Sequence, residues 1–261
     1  IVKKQLIADV PLGIFLSGGV DSSLITLLAQ QESSHNIKTF NIGFESKEYD
    51  ESINAQKVAD ELGTDHTTMK FSPKDAIKLI EDLPSIYDEP FADAAQMPTI
   101  ILSKLAKKSV TVVLSGDGGD EIFGGYEIFK YLKIFNLFEF FMNKKTSSLL
   151  ELFLFALPIS KKNLSFDFKL RRYLRGIKFP KEYRNTMFLS SISINELEEL
   201  FNEKINIDEF FEDLKIFYQK CEKLNYFDKT LMYYVQYYLP DLVCARADRA
   251  GMLNSLEIRS P

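Results

Sequence analysis

Twice in this chain an uncharged apolar run stops at Ser-Gly and gives way to acids and more glycine. The first case is "PLGIFLSGGVDSSL", 11–24; the second is "VTVVLSGDGGDEIFGGY", 110–126. Short, uncharged, apolar runs of this kind, the second of them β-branched, read as strands buried on both faces, which belong to parallel sheets. Parallel strands need a long crossover, usually a helix, before the next strand. The pair of motifs therefore confines the fold to α/β: a mostly parallel sheet with helices on both faces. It also puts glycine-rich turns at the carboxyl ends of strands, where open α/β sheets bind ligands.

The rest of the first half fits that frame. "DSSLITLLAQQ" has helical apolar spacing at Leu24, Leu27 and Leu28. "IKTFNIGF" (37–44) reads as a second strand. "DESINAQKVADELG" (50–63) reads as a helix with Ile53, Val58 and Leu62 inward and Gly63 as its stop. "HTTMKF" (66–71) is a third strand; "PKDAIKLIEDLPSIY" and "QMPTIILSKLAKK" are helices. The loop that follows the strand of 110–115 has five glycines in ten residues and makes poor helix and poor strand. From Tyr126 the texture changes to Phe, Leu, Lys and Glu with helical periodicity. "EIFKYLKIFNLFEFFMN", "INELEELFNE", "DEFFEDLKIFYQKCEKLNYF" and "KTLMYYVQYYLPDLVCARADRAGMLNSLE" are helix candidates, and the aromatic stripe of 129–141 is read as core packing. The expected organisation is an α/β core over 1–125 and a mainly helical part over 126–261.

Composition removes several classes of function. A net charge of −5 supplies no basic field for nucleic acid, and none is expected as a partner. No apolar run reaches the ~18 residues of a membrane span; "LLELFLFALPI" (149–159) is short and broken by Pro158. Two cysteines, Cys221 and Cys244, form neither a disulfide framework nor a metal pattern; reduced, partly buried thiols suit a cytoplasmic protein. His35 and His66 have no partner at ligand spacing and are read as structural or exposed. Beginning at Ile1 without Met and stopping at "IRSP", the chain is expected to be a piece of a longer protein, cut at both ends.

The chemistry lies in the two turns. Gly18 and Gly19 let the backbone approach a ligand, and the free N–H groups of the helix start converge with Ser17, Ser22 and Ser23 on one spot suited to phosphate. Asp21 would repel phosphate unless a cation lies between them, which implies Mg²⁺. There is no GxxxxGK[ST], so this is not a Walker A loop. Alone, the turn could be structural, with Asp21 or Ser22 as a helix cap. The second turn, Ser115-Gly116-Asp117 followed by Asp120 and Glu121, repeats the arrangement. Two such turns in one small sheet look like two halves of a Mg–nucleotide site.

SGGVDSS followed by SGDGGDEIFGGY resembles the synthetase domain of the asparagine synthetase B family, glutamine-dependent amidotransferases among the SGGxDS-loop ATP pyrophosphatases. The likeness extends through "FNIGFESKEYDESINAQKVADELGTDH", "DEPFADAAQMPT" and "YYLPDLVCARADRAGMLNSLEIRSP", and is weakest over about 127–230. The resemblance implies an adenine-nucleotide-hydrolase-like fold with ATP and Mg²⁺ as its small-molecule requirements. It implies attack of a substrate carboxylate on the α-phosphorus of ATP, then attack of ammonia on the acyl-adenylate. The SGGVDSS loop would hold pyrophosphate, Asp21 and Asp120 would bind Mg²⁺, and Leu16, Ile42, Ser115 and Gly116 would line the adenosine pocket. Asp117 and Glu121 are the candidate catalytic acids. Ammonia would come from glutamine through a glutaminase domain outside this chain, and a late catalytic lysine would lie beyond Pro261. A homodimer is one state the resemblance allows. Relatives often carry Glu where this chain has Asp117, and "DEPFADAAQMPT" with "SGDGGDE" resembles members of bacterial surface-polysaccharide pathways; the acceptor is thus open between aspartate, a sugar uronic acid and an intramolecular amide as in β-lactam synthetases. A non-catalytic nucleotide-binding module is the alternative of another class. Two segments stay open. "DEP" (88–90) either ends a helix or shapes the substrate pocket. "RADRAGM" (246–252) is either a salt-bridged surface helix or, by the resemblance, set against the active site.

Overall fold

A computed structural model describes residues 1–46, 50–87, 89, 91–129, 176, 179–190 and 192–261. Five parallel strands form one sheet in the order β3-β2-β1-β4-β5. These are β1 (Leu12–Phe15), β2 (Lys38–Phe44), β3 (Asp65–Phe71), β4 (Val112–Leu114) and β5 (Glu257–Arg259). The chain divides into two compact units, one of residues 1–125 with 233–261 and one of 126–232. The sheet lies wholly in the first. Its last strand, which begins at the final residue of the helix candidate 229–257, is not among the strands expected from the sequence.

Successive residues of β1 point to opposite faces, and each face is covered. On one side Phe15, Phe40, Val113 and Leu256 form a core with Ala106 of α6 (Gln96–Lys107). On the other, Ile14, Ile37 and Leu114 pack with Ala29 of α2 (Val20–Glu32), together with residues of α1 (Val2–Gln5). Leu16 packs on Ala55 and Ala59 of α3 (Ser52–Leu62), which Gly63 closes.

Several helix readings are corrected. The leucines of α2 do not face the core: Leu24 is 51% exposed, while Ser22, Thr26 and Ala29 are buried. Likewise Ile53 on α3 is 65% exposed and the buried positions are Ala55 and Ala59. Small residues let these helices lie close to the sheet and to each other, so the large ones turn outward. The expected single helix of 73–87 is two, α4 (Pro73–Ile80) and α5 (Leu83–Tyr87). Pro84 has no N–H to continue the α4 ladder. Within the second glycine loop Gly119–Phe123 is helical (α7), flanked by left-handed Gly118 and Gly124. Cys244 is exposed rather than partly buried.

In the second unit, Tyr183 and Met187 of α8 (Lys181–Leu189) and Ile194 of α9 (Ile194–Phe201) gather around Phe211, which stacks on Tyr183 at 4.7 Å. The segment "DEFFEDLKIFYQK" splits into α10 (Ile207–Phe210) and α11 (Glu212–Lys220). α12 (Tyr226–Tyr233) leads back into the first unit, which contains an eleven-residue π-helix, Tyr234–Cys244, with Pro240 inside it, and then α13 (Ala245–Leu253). Proline cannot donate in an α-helical ladder, and wider π turns are a known accommodation. Most of the aromatic stripe and "LLELFLFALPI" lie outside the described residues. Among the described residues no helix is long and apolar enough to cross a membrane.

Candidate active site

β1 sits between β2 and β4, so its loop and that of β4 leave the sheet side by side at a point where strand order reverses. The β1–β2 ladder ends with the Leu16 N–H donating to the Phe40 carbonyl at 2.9 Å. The next carbonyl, that of Leu16, accepts from Asn41 Nδ2 at 2.8 Å. The chain then turns through Ser17-Gly18-Gly19 into α2. Gly18 has φ +83, and a Cβ there would lie 2.6 Å from the Ala55 nitrogen at the start of α3. No side chain caps α2 at Gly19. Ser17 and Ser22 hydroxyls lie 3.0 Å apart, and the Gly19 N–H donates to Ser17 Oγ at 3.2 Å. Hydroxyls and helix-start N–H groups are thus collected at one point, as an anion site requires.

The β4 loop is held from its own side. The Ser115 N–H donates to the Arg259 carbonyl at 2.8 Å, and Ser115 Oγ donates to Asp117 Oδ2 at 2.8 Å. The two loops then press together: a Cβ on Gly119 would fall 2.6 Å from Asp21 Cγ. Only a glycine lets the Asp21 carboxylate come this close. Burial first, then the charges of Asp21 and Glu121, hold the Asp120 carboxyl above its ordinary range. Carboxylates crowded in this way favour a cation between them. Mg²⁺ is bound by hard oxygen ligands, commonly one or two carboxylates with substrate phosphates. Asp21 and Asp120 fit that pattern.

Around these groups lies a cavity of about 770 Å³. Leu16, Ser17, Gly19, Asp21, Ser22, Ile42, Ser115, Gly116, Asp117 and Asp120 all line it. Gly18 and Ser23 do not: Gly18 shapes the turn, and Ser23 lines a separate groove between α2 and α3. Glu121 is 1% exposed and lies behind the wall. Pro98, Thr99 and Leu102 of α6 supply an apolar side, and Asn41 and Glu51 line it as well. Four of these five fall in segments that carry the family resemblance, but none is assigned to the pocket by the sequence, and Leu102 lies outside those segments.

Arg246 belongs to the wall too. Its Nη2 donates to Asp117 Oδ1 at 3.0 Å and its Nη1 to Asp93 Oδ2 at 2.8 Å. This settles the segment 246–252: α13 packs on α6 and carries Arg246 to the cavity, while Arg249 donates to the Tyr87 carbonyl and pairs with Glu89. Glu89 therefore does not face the cavity; Asp88 and Pro90 lie outside the described residues. His66 is half-buried between the hydroxyls of Thr39 and Thr68, and His35 is exposed beside Ser34, so neither joins the site.

The asparagine synthase family profile matches residues 1–261. The chain belongs to the asparagine synthase family. Glutamine-hydrolyzing asparagine synthetase 1 of Bacillus subtilis is 31% identical over 262 aligned residues, covering 100% of this chain and 40% of that protein. A protein of Methanocaldococcus jannaschii carries the same activity name as a provisional assignment; it is 48% identical over 126 residues, 48% of this chain and 24% of its own. The pea root glutamine-hydrolyzing asparagine synthetase is 38% identical over 143 residues, 49% of this chain and 24% of that one. The chain thus spans well under half the length of these family members.

Proposed function

We propose that this chain is the ATP-using part of a glutamine-dependent ligase that converts a carboxylate, foremost aspartate, to its amide. One observation carries the reading: two glycine loops from adjacent parallel strands bring Asp21 and Asp120 together with Ser17, Ser22 and an uncapped helix start at one cavity. The family supports it, as do the names of the relatives.

In this reading the adenine lies against Leu16 and Ile42, and the β- and γ-phosphates rest on Ser17, Gly19, Ser22 and the N–H groups that open α2. Asp21 and Asp120 would hold Mg²⁺, which neutralises phosphate charge and steadies the departing pyrophosphate. An oxygen of the acceptor carboxylate bonds to the α-phosphorus, and the bond from that phosphorus to pyrophosphate breaks. Ammonia then attacks the acyl carbon, loses a proton and expels AMP. A glutaminase domain of the full-length protein would supply the ammonia. Asp117 stands at the cavity wall in reach of that second step; buried Glu121 supports the loop rather than meeting substrate.

The test is to supply the full-length protein with Mg²⁺, ATP and ammonia or glutamine, and to screen aspartate, glutamate and uronic acids. Pyrophosphate and AMP should form one for one with amide, and aspartate should be the best acceptor. ADP and phosphate as products would overturn adenylation; a uronic acid preferred over aspartate would overturn the acceptor.

A further inference from the structure

Asp93 does not line the cavity, yet its carboxylate is gripped from two sides. Oδ1 accepts from the Ala95 N–H at 2.9 Å, in the turn that opens α6. Oδ2 accepts from Arg246 Nη1 at 2.8 Å. The other terminal nitrogen of Arg246 reaches Asp117, whose second oxygen is held by Ser115 Oγ at 2.8 Å. The order Asp93, Arg246, Asp117, Ser115 is a continuous row of charge-assisted bonds linking the α6 wall to the β4 loop. Its Asp93 and Arg246 side chains are well covered, 14% and 15% exposed, and Asp117 is 26% exposed. A guanidinium is a planar fork that can hold two carboxylates at once in fixed directions; an ammonium is a point charge.

Asp93 is the end fixed by backbone, and Asp117 is the end on a loop. We infer that Asp93 is a positioning residue for the amidation: it locks the Arg246 guanidinium and, through it, sets the Asp117 carboxylate at the cavity wall. The inference rests on the function proposed above. Both terminal nitrogens are engaged by protein carboxylates, so the guanidinium stands at the cavity wall already oriented.

The test uses the full-length protein with Asp93→Asn. Asparagine keeps an oxygen for the Ala95 N–H but presents no charge to Arg246. The kcat for pyrophosphate release should fall about 10–100-fold, the range for a reacting group displaced by about an ångström. KM for ATP and for the acceptor should stay within about threefold, since neither binding contact is touched. Asp93→Asn added to Asp117→Asn should cost little more than Asp117→Asn alone, because the effect passes through Asp117. Arg246→Lys, which keeps the charge without the fork, should repeat the kcat loss, and it decides the matter if Asp93→Asn does not fold. Normal kcat in folded Asp93→Asn, additive losses in the double variant, or a rise in acceptor KM with kcat held would each overturn the inference while leaving the functional reading intact. Wild-type protein that releases no pyrophosphate with any carboxylate would instead remove the functional reading, and the inference with it.

Discussion

At the scale of single residues, the site holds its charges at a cost that its ligands would relieve. The Asp120 carboxyl is raised by burial, then by Asp21 and Glu121. A carboxyl whose folded-state pKa lies above its unfolded value favours folding when protonated, and that contribution is lost as pH rises through the folded-state pKa. Metal-free wild type therefore carries the penalty at pH 7 and sheds it in acid. Asp120→Asn should raise the metal-free melting temperature at pH 7, with the gain fading as pH falls. Mg²⁺ with ATP should stabilise wild type and leave the variant nearly unmoved, and adenylation should fall at least about 100-fold. Melting curves across pH with and without Mg–ATP check this; a variant less stable than wild type at pH 7 would contradict the electrostatic account. Asp21 and Asp120 are legible in the sequence because each follows a strand-end Ser-Gly within four residues of the glycine. The Asp93–Arg246 link is not, because it joins positions 153 apart and neither belongs to a glycine loop.

At the scale of elements, strands were more legible than helix faces. Short uncharged apolar runs ending in glycine read as buried strands, and β1 and β4 form where they occur; β2 forms over the mixed run Lys38–Phe44. Helical periodicity identifies α2 and α3 and puts Val58 inward correctly, but it misplaces Ile53 and the leucines of α2, because the helices pack chiefly through alanine, serine and threonine. Ser22 and Thr26 are tolerated inside α2 because their hydroxyls have partners, Thr26 Oγ1 donating to the Ser22 carbonyl at 2.7 Å. This arrangement makes a prediction that inverts the usual expectation from hydrophobicity. Leu24→Ala should cost no more than about 0.5 kcal/mol, as at an ordinary exposed position. Ala29→Leu, which adds volume at a site with 0% exposure against Ile14 and Leu114, should cost about 1–3 kcal/mol. Urea unfolding of both variants measures the difference, and a larger loss for Leu24→Ala would reverse the assignment of faces.

At the scale of the molecule, the second glycine loop depends on the far end of the chain. β5 closes the sheet edge beside β4, and its Arg259 carbonyl takes the Ser115 N–H. Arg259 also sends Nη1 to the carbonyls of Gln5 and Ile7, at 2.8 and 2.9 Å. One side chain thus ties together the start of the chain, the last strand and, through the backbone beside it, the loop that carries Asp117. Nothing in the local pattern around "LEIRSP" shows this, since a strand of three residues is too short to display a period. Arg259→Ala leaves the two carbonyls without that donor and should cost about 1–3 kcal/mol. The loss should also be local in its effect on the site. β1 is held by β2 and β4, so the amides of 19–23 should keep their hydrogen-exchange protection. The amides of 115–117, held through β5, should exchange faster. Exchange measured residue by residue on wild type and Arg259→Ala distinguishes this from general loosening: equal acceleration in both loops, or none at Ser115, would show that β5 does not carry the second loop.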